Sequence, residues 1–387
     1  MCSPFSGLVR DRSRYSPLQS VTPGNVAEVP PDHYSVTPMK VLVTGHNGYI
    51  GAVMVPFLQK AGHEVVGLDT YLFEGCHQGP APVDPPALRM DLRDIKPQHL
   101  EGFDAVMHLA ALSNDPLGDL NPQFTYDINL HASVNLAKSA KAAGVERFLF
   151  SSSCSLYGKP KTDDPVDETA GFNPQTPYGE SKIKAEQEIA PLASDDFSPT
   201  YLRNTTAYGW SPQLRGDIVV NNLTAYAFIS GEVLVKSDGT PWRPLVHVED
   251  ICRAFLGLME APRDVVHNQA FNIGRTDENF QISTVAEMVA EIVPNARVVY
   301  APGGEPDTRS YKVDFSKLSS LVPAATPQWT VRKGIEELYA AYQEYGLTLD
   351  EFENRYLRIR HLRKLFEEGR LGEGVRWQAD GGEKAAG

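Results

Sequence analysis

The sequence lacks long apolar runs and is poor in cysteine. No stretch of about 18 consecutive apolar residues occurs in it, so no membrane-spanning helix is expected. Its four cysteines show no Cys-x-x-Cys spacing and stand at Cys2, Cys76, Cys154 and Cys252. This spacing predicts neither a disulfide scaffold nor a zinc site, so no metal is expected. Scattered cysteines are typical of a reducing compartment, and we expect a cytoplasmic protein.

The chain also has fewer basic than acidic residues. The 387 residues include 36 Lys and Arg against 49 Asp and Glu, which gives a formal net charge of −13 at pH 7. A nucleic-acid-binding protein needs a basic face to neutralise phosphates, so no nucleic-acid partner is expected. With 42% hydrophobic and 22% charged residues, the chain has the composition of a globular protein that can bury a core.

Short apolar segments alternate with helical stretches from Lys40 onward. Strands are predicted at 41–43, 64–69, 105–110 and 147–150, and helices at 49–61 and 121–143. Strands separated by helices are typical of βαβ units, which form a parallel sheet covered on both faces. We therefore predict an α/β fold. Beyond about residue 205 the alternation loosens, which indicates a second lobe.

Changes of composition predict four regions. Residues 1–38 are rich in proline and serine and are predicted to be an irregular leader. A first domain is predicted at 39–205, and a second lobe, part of which returns to the first domain, at 206–346. A charged helical tail with a disordered end is predicted at 347–387. In the tail, Phe352, Tyr356, Ile359 and Phe366 fall near one helical face, so we predict one amphipathic helix that packs on its own subunit or forms a dimer contact.

A glycine-rich loop follows the first predicted strand. Its sequence is Gly45-His46-Asn47-Gly48-Tyr49-Ile50-Gly51, and a helix is predicted directly after it. Glycines at such a turn let the backbone approach a pyrophosphate, which the N-terminus of the helix attracts. The next predicted strand ends in Asp69, whose carboxylate can accept both ribose hydroxyls. An acid there would repel a 2′-phosphate, so the cofactor is predicted to be NAD rather than NADP.

A second set of residues is suited to proton transfer. A predicted strand runs into Ser151, Ser152 and Ser153, and Tyr178 and Lys182 follow with a spacing of four. On a helix Tyr178 and Lys182 share a face, and an ammonium near a phenol lowers the pKa of the phenol. Tyr178 could then take a proton from a substrate hydroxyl that Ser153 orients.

These motifs resemble the extended short-chain dehydrogenase/reductases, specifically the NAD-dependent nucleotide-sugar epimerases and dehydratases, over about residues 40–342. The resemblance implies a Rossmann-type doubly wound parallel sheet with a smaller mixed α/β substrate-binding lobe. It implies cofactor contacts from Asp91 and Leu92, and from Leu109, Ala110 and Ala111. Tyr178 and Lys182 would contact the cofactor as well. Relatives of this kind are usually homodimers, so a homodimer is expected.

The same resemblance implies a nucleotide-diphosphate sugar as substrate. Arg243 and Arg309 would clamp the diphosphate, since guanidinium groups bind it bidentately. Many relatives carry an asparagine at the position of Thr206. The full set of predicted substrate contacts is Ser155, Asn129, Asn204, Thr206, Asn222, Arg243 and Arg309.

One departure from the family bears on the reaction. The 4,6-dehydratases that the sequence resembles place Asp-Glu directly after the catalytic Ser or Thr, whereas this chain has Cys154 and Ser155. Water elimination would lack its acid and base. A cysteine that acts in a 3,5-epimerase would stand one residue later than Cys154. The expected activity is therefore C4 epimerisation through a 4-keto sugar. The alternatives are a 4-ketoreductase or another deoxysugar-tailoring oxidoreductase, and a non-catalytic NAD-binding relative.

Overall fold

The computed structural model describes residues 37–113, 121–160, 162–302 and 310–378. The predicted leader, apart from its last residues, lies outside these ranges, as do Arg309 and the predicted disordered end from 379 onward. The described residues after Thr37 form one compact unit, so the boundary between 205 and 206 stays a prediction.

Seven parallel strands form the central sheet. All strands of the described residues, including those outside the central sheet, are in chain order β1 (Lys40–Thr44), β2 (Glu64–Asp69), β3 (Ala87–Arg89), β4 (Ala105–His108), β5 (Arg147–Ser153), β6 (Ser198–Asn204), β7 (Thr206–Tyr208), β8 (Glu232–Val235), β9 (Trp242–His247), β10 (Gln269–Ile273), β11 (Asn279–Gln281), β12 (Arg297–Tyr300), β13 (Leu371–Gly372) and β14 (Arg376–Trp377). The sheet order is β10-β6-β5-β4-β1-β2-β3, and every neighbouring pair in it is parallel. Chain order reverses between β1 and β4, and open parallel sheets bind ligands at such a point, beyond the carboxyl ends of the strands. The predicted Rossmann-type doubly wound sheet is confirmed.

The central strands are apolar because both of their faces are covered. Val41, Leu42 and Val43 of β1 are all 0% exposed. Successive strand residues point to opposite faces of a sheet. Val41 and Val43 accordingly join one apolar cluster, and Leu42 joins another. A run of three apolar residues thus supplies two separate layers of core.

Helices cover the sheet and build the second lobe. In chain order they are α1 (Gly51–Lys60), α2 (Pro122–Thr125), α3 (Ser133–Ala142), α4 (Pro177–Ile189), α5 (Val219–Ser230), α6 (Val248–Glu260), α7 (Arg263–Val266), α8 (Ile282–Ile292), α9 (Ser316–Leu321), α10 (Val331–Tyr345), α11 (Leu349–Glu351) and α12 (Arg358–Glu367). Two π-helical segments adjoin them, at Tyr126–Ala132 and Phe352–Tyr356. Of the helices in the described ranges, none has the length and apolarity needed to cross a membrane.

The later part of the chain forms the predicted mixed α/β lobe. Strands β7, β9 and β11 make one small sheet, and β8 and β12 pair in parallel. Their apolar faces share a cluster with α5, α8 and α10, to which Leu223, Val233, Val285 and Ile335 belong. Strand β10 instead lies at the edge of the central sheet.

The prediction of one amphipathic helix in the tail is wrong. The chain forms α11 and a π-helical segment, leaves helical geometry at Leu357 (φ −81°, ψ 93°), and starts α12 at Arg358. Phe352 and Tyr356 join the core of the second lobe, whereas Leu362 and Leu365 pack in a separate cluster with Leu112. A continuous helix could not supply both contacts, because the two clusters lie against different parts of the protein.

Candidate active site

The glycine-rich loop joins the end of β1 to the start of α1. Gly45 has a φ of +74°, which favours glycine, and a Cβ built on it would lie 2.8 Å from the backbone nitrogen of Ala110. A Cβ on Gly51 would lie 2.2 Å from the carbonyl oxygen of Gly45. The loop therefore packs backbone against backbone, which leaves the N-terminal end of α1 facing a cleft.

That cleft runs along the carboxyl ends of β1, β2 and β4, at the point where the strand order reverses. The predicted cofactor contacts that line it are Gly45, Asn47, Gly48, Tyr49, Ile50, Gly51, Asp69, Asp91, Leu92, Leu109, Ala110 and Ala111. Tyr178 and Lys182 line an adjoining cavity instead. The structure thus brings every predicted cofactor residue to one of two neighbouring cavities.

Asp69 occupies the end of β2, at the wall of this cleft. Its Oδ2 accepts a hydrogen bond from the backbone of Asn47 at 3.0 Å, and its Oδ1 accepts one from the backbone of Tyr71 at 2.7 Å. Burial raises the pKa of Asp69, and the two hydrogen bonds and the nearby His46 and Arg358 charges counteract part of that rise. The carboxylate is fixed in orientation and can still accept from hydroxyl groups, because each of its oxygens has more than one lone pair.

Asp91 is held by its neighbour Arg93. The Asp91 side chain caps the 3₁₀ turn Leu92–Asp94 by accepting from the Arg93 backbone, and it forms an ion pair with the Arg93 guanidinium. Burial alone would raise the pKa of Asp91, but the hydrogen bonds and charge of Arg93 hold it below its ordinary value. Asp91 is therefore an ordered anion at the rim of the cleft, and its contact with adenine stays a prediction.

Ser153, Tyr178 and Lys182 face the second cavity. Ser153 ends β5, and its Oγ lies 2.9 Å from the Oγ of Ser155. Tyr178 and Lys182 lie on α4, which begins after the cap residue Thr176, and the Lys182 Nζ lies 5.7 Å from the centroid of the Tyr178 ring. Ile50, Leu109 and Ala111 line both cavities. The three predicted catalytic side chains therefore lie beside the cofactor cleft.

Lys182 is buried, with 2% of its surface exposed. Its Nζ donates to the carbonyl oxygen of Ser151 at 2.7 Å and lies 4.7 Å from the Phe150 ring centroid. Burial lowers the pKa of Lys182 to about 7, against a smaller opposite effect of Glu186. Near neutral pH the lysine can therefore gain or lose a proton, and its charged form stabilises a Tyr178 phenolate.

The second cavity has a volume of about 860 Å³, enough for a large polar ligand. Predicted substrate residues in its lining are Ser155, Asn204, Thr206, Asn222 and Arg243. Arg215 and Lys236 add further cations to the lining. The Oδ1 of Asn204 is buried without a hydrogen-bond partner, while its Nδ2 donates to the Oγ of Ser151. Such an acceptor is available to a ligand hydroxyl.

Asn129 does not reach this cavity. It is fully buried in the π-helical segment, where its Nδ2 donates to the Leu112 carbonyl and its Oδ1 accepts from the Leu112 backbone. Both ends of the amide are therefore used to hold the chain that follows β4. The predicted substrate contact of Asn129 is not supported by this geometry, and Arg309 lies outside the described residues.

The turn after Ser153 contains no acid or base for the substrate. Cys154 is 0% exposed, its Sγ donates to the carbonyl of Arg203, and burial raises the pKa of its thiol. Among the described residues that line the second cavity, the only carboxylate is Asp217, which forms an ion pair with Arg215 at 3.0 Å. Ser153, Tyr178 and Lys182 are the predicted catalytic residues in this lining.

Sequence reasoning missed a buried network behind this turn. Glu186 forms an ion pair with Arg203 at 2.7 Å and a hydrogen bond with Ser152, and Arg203 also donates to the Tyr157 hydroxyl. Glu186 stands four residues after Lys182 on the same helix face, which was the available signal. Its partner Arg203 comes from β6, and sequence spacing gives no indication of that contact.

Comparisons with known proteins agree with this site. The family model described as "NAD dependent epimerase/dehydratase family" matches residues 41–274. The chain belongs to this family. It is 32% identical to a UDP-glucose 4-epimerase of Lactobacillus helveticus over 295 residues, which are 70% of this chain and 87% of that one. It is 28% identical to UDP-glucuronic acid decarboxylase 4 of Arabidopsis thaliana, over 77% of this chain and 67% of that one.

A solved structure gives the cofactor. MoeE5 in complex with UDP-glucuronic acid and NAD matches with a TM-score of 0.69 and 29% identity, over 79% of this chain and 99% of that one. The protein is an NAD-dependent enzyme of this family. Its cleft fits NAD, since it combines a loop with glycine at positions 45, 48 and 51, an Asp at the end of β2 and the buried guanidinium of Arg358. The described residues contain no group of three or more His, Cys, Asp or Glu that could hold a metal ion.

Proposed function

We propose that the protein is a nucleotide-sugar 4-epimerase that acts on UDP-hexoses or UDP-hexuronates. The observation that carries this proposal is the chemistry of the second cavity. Its described lining offers hydroxyl groups and a lysine beside the cofactor cleft, and its one carboxylate is paired with Arg215. Those groups suit oxidation and reduction at a hydroxyl-bearing carbon, whereas a dehydratase needs an additional acid and base.

Each catalytic group has one role in this reaction. Ser153 orients the C4 hydroxyl, and Tyr178 takes its proton as the carbon is oxidised. Lys182 supports the Tyr178 phenolate through its charge. NAD held in the cofactor cleft would supply reversible hydride acceptance. The 4-keto sugar rotates in the cavity and receives the hydride on its opposite face. Tyr178 then returns the proton, and the C4 epimer forms with no net redox change.

Charge and the names of the relatives support this substrate class. Arg215, Lys236 and Arg243 line the cavity and suit the diphosphate of a sugar nucleotide. UDP is the nucleotide in the names of the relatives and in the MoeE5 complex. The Arg243 guanidinium is held in place by a hydrogen bond to the Trp242 carbonyl at 2.9 Å. We therefore expect removal of the Arg243 side chain to raise KM more than it lowers kcat.

The test follows the sugar protons by NMR in deuterated water without added cofactor. UDP-glucose, UDP-galactose and UDP-glucuronate are incubated separately with the protein. The proposal expects a C4 diastereomer that keeps all its carbon-bound protons, because the hydride returns to the carbon from which it came. Deuterium at C3 or C5, loss of CO₂ or loss of water would reject it, and so would turnover only of 4-keto sugars with added NADH.

Tyr178→Phe provides the matched test of mechanism. Without the phenolic proton acceptor, turnover should fall by about 10²- to 10⁴-fold while sugar-nucleotide affinity changes little. Tyr300→Phe is the control, since Tyr300 is 48% exposed and lies outside both cavities. Full activity of Tyr178→Phe would remove this residue from the mechanism.

A further inference from the structure

The C-terminal tail reaches into the cofactor cleft. The helical geometry of the tail is interrupted at Leu357, and Arg358, the first residue of α12, lines that cleft. Val375, in the turn between β13 and β14, lines it too. Several hydrogen bonds hold the tail against the Rossmann domain, and they include two with residues that line the cleft. Arg93 donates to the Gly374 carbonyl at 2.7 Å, and the Trp377 indole donates to the Thr70 carbonyl at 2.6 Å. The tail is thus part of the cleft wall.

Arg358 is a buried cation with an unused donor. It is 4% exposed, and its guanidinium lies 3.9 Å from the centroid of the Phe73 ring. The Nη2 donates to the Gln213 carbonyl at 2.9 Å, whereas the Nη1 is buried without a partner. Asp69 and Asp217 act on its charge from a distance, but within the described ranges Arg358 forms no ion pair. Burial lowers the pKa of Arg358 to about 10, which leaves it charged at neutral pH.

A buried cation is unfavourable unless an anion and hydrogen bonds compensate it. The protein supplies the Phe73 ring face and one carbonyl, which leaves the charge itself without an anion in contact. Arg358 lies close to the glycine loop, because Gln213, which accepts from Arg358, also donates from its Nε2 to the Oδ1 of Asn47 at 3.0 Å. The ligand class of that loop is a diphosphate.

We propose that Arg358 binds the diphosphate of NAD through its unpaired Nη1, so that the C-terminal tail closes the cofactor cleft. Arg358 lines the cofactor cleft and not the second cavity, so the anion it compensates is that of the cofactor rather than that of the substrate. This role is independent of which sugar nucleotide the enzyme converts. It adds a cofactor contact from outside the Rossmann domain, and it makes NAD retention depend on a segment that follows the last helix of the second lobe.

The test compares two ligands that share an adenosine. The full chain, stripped of nucleotide, is titrated calorimetrically with ADP-ribose, which contains the diphosphate, and with adenosine, which lacks it. Arg358→Gln should weaken ADP-ribose binding by about 10- to 100-fold, since a hydrogen bond to a charged group is lost, and should leave adenosine binding unchanged. Arg363→Gln is the matched control, because Arg363 is exposed on the same helix.

Two outcomes would overturn the proposal. One is equal loss for ADP-ribose and adenosine, which would make Arg358 a structural residue of the cleft wall. The other is unchanged ADP-ribose binding in Arg358→Gln. If that variant does not fold, Arg358→Lys keeps the charge and loses the planar fork, and it should still weaken ADP-ribose selectively, by about 3- to 10-fold. The content of NAD that remains bound through purification gives a second readout without any turnover assay.

Discussion

Lys182 should destabilise the folded protein at neutral pH, and its removal should raise thermal stability. The ordinary lysine pKa is 10.5, and burial lowers that of Lys182 to about 7. Between these two values the unfolded chain binds one proton more than the folded protein, so stability rises with pH across this window. Below about pH 7 the whole penalty is present, and about 3.5 pH units at about 1.4 kcal/mol each amount to about 5 kcal/mol.

Lys182→Met removes that penalty and adds a smaller one. The Ser151 carbonyl loses the hydrogen bond from Nζ, which costs about 1–3 kcal/mol for a buried acceptor. At about pH 6 a net gain of about 2–4 kcal/mol remains. About 2.1 cal/mol/K of unfolding entropy per residue over roughly 350 residues gives about 0.7 kcal/mol/K, so Tm should rise by about 3–6 °C. At about pH 9.5 the gain should vanish or change sign, because the native lysine is then neutral.

Scanning calorimetry of nucleotide-free protein at both pH values measures this difference. Lys184→Met is the matched control, since Lys184 lies on the exposed face of α4 and pairs with Glu180. Its Tm should change little at either pH. A Lys182→Met variant that melts below the native protein at pH 6, or one whose Tm difference does not depend on pH, would refute the reasoning. Turnover should be lost in the same variant, so the residue exchanges stability for function.

Two further predictions concern the buried network and the cofactor. Glu186→Met leaves the Arg203 guanidinium buried without its carboxylate, so the free energy of unfolding, measured by denaturant titration, should fall by about 3–5 kcal/mol. The control is Glu188→Met, at an exposed site on the same helix. A loss in Glu186→Met no larger than the loss in this control would contradict the prediction. Asp69→Ser should lower the affinity for NAD and raise the ratio of NADP to NAD binding, because the repelling carboxylate is gone. An unchanged ratio in titrations would remove Asp69 from cofactor selection.

The features that sequence predicts well are local ones. The alternation of short apolar strands with helices gives the parallel sheet, and the spacing of Gly45, Gly48 and Gly51 gives the loop at the sheet reversal. Tyr178 and Lys182 share a helix face because of a spacing of four, which needs no tertiary information.

The features that sequence misses depend on contacts between distant segments. Arg203 and Arg358 meet their surroundings only after folding, and sequence spacing gives no indication of either contact. Asn129 has the residue type of a substrate contact, yet the π-helical segment points its amide at Leu112. The apolar pattern of the tail predicted one helix, because its helical period continues across Leu357. In the structure the residues before Leu357 pack in one apolar cluster and those after it pack in another, so the helix is interrupted there. The homodimer stays a prediction.

Retention of the cofactor distinguishes the two enzymatic interpretations of the same catalytic residues. An epimerase returns the hydride to its own substrate, so NAD need not leave between turnovers, whereas a ketoreductase must exchange its cofactor in every cycle. On the proposed closure of the cleft by the tail, the wall that includes Arg358 and Val375 would have to move before NAD could leave. Dissociation of NAD should therefore be much slower than turnover on a UDP-sugar. Dissociation faster than turnover, measured by exchange with labelled NAD, would favour a reductase and would count against closure of the cleft by the tail.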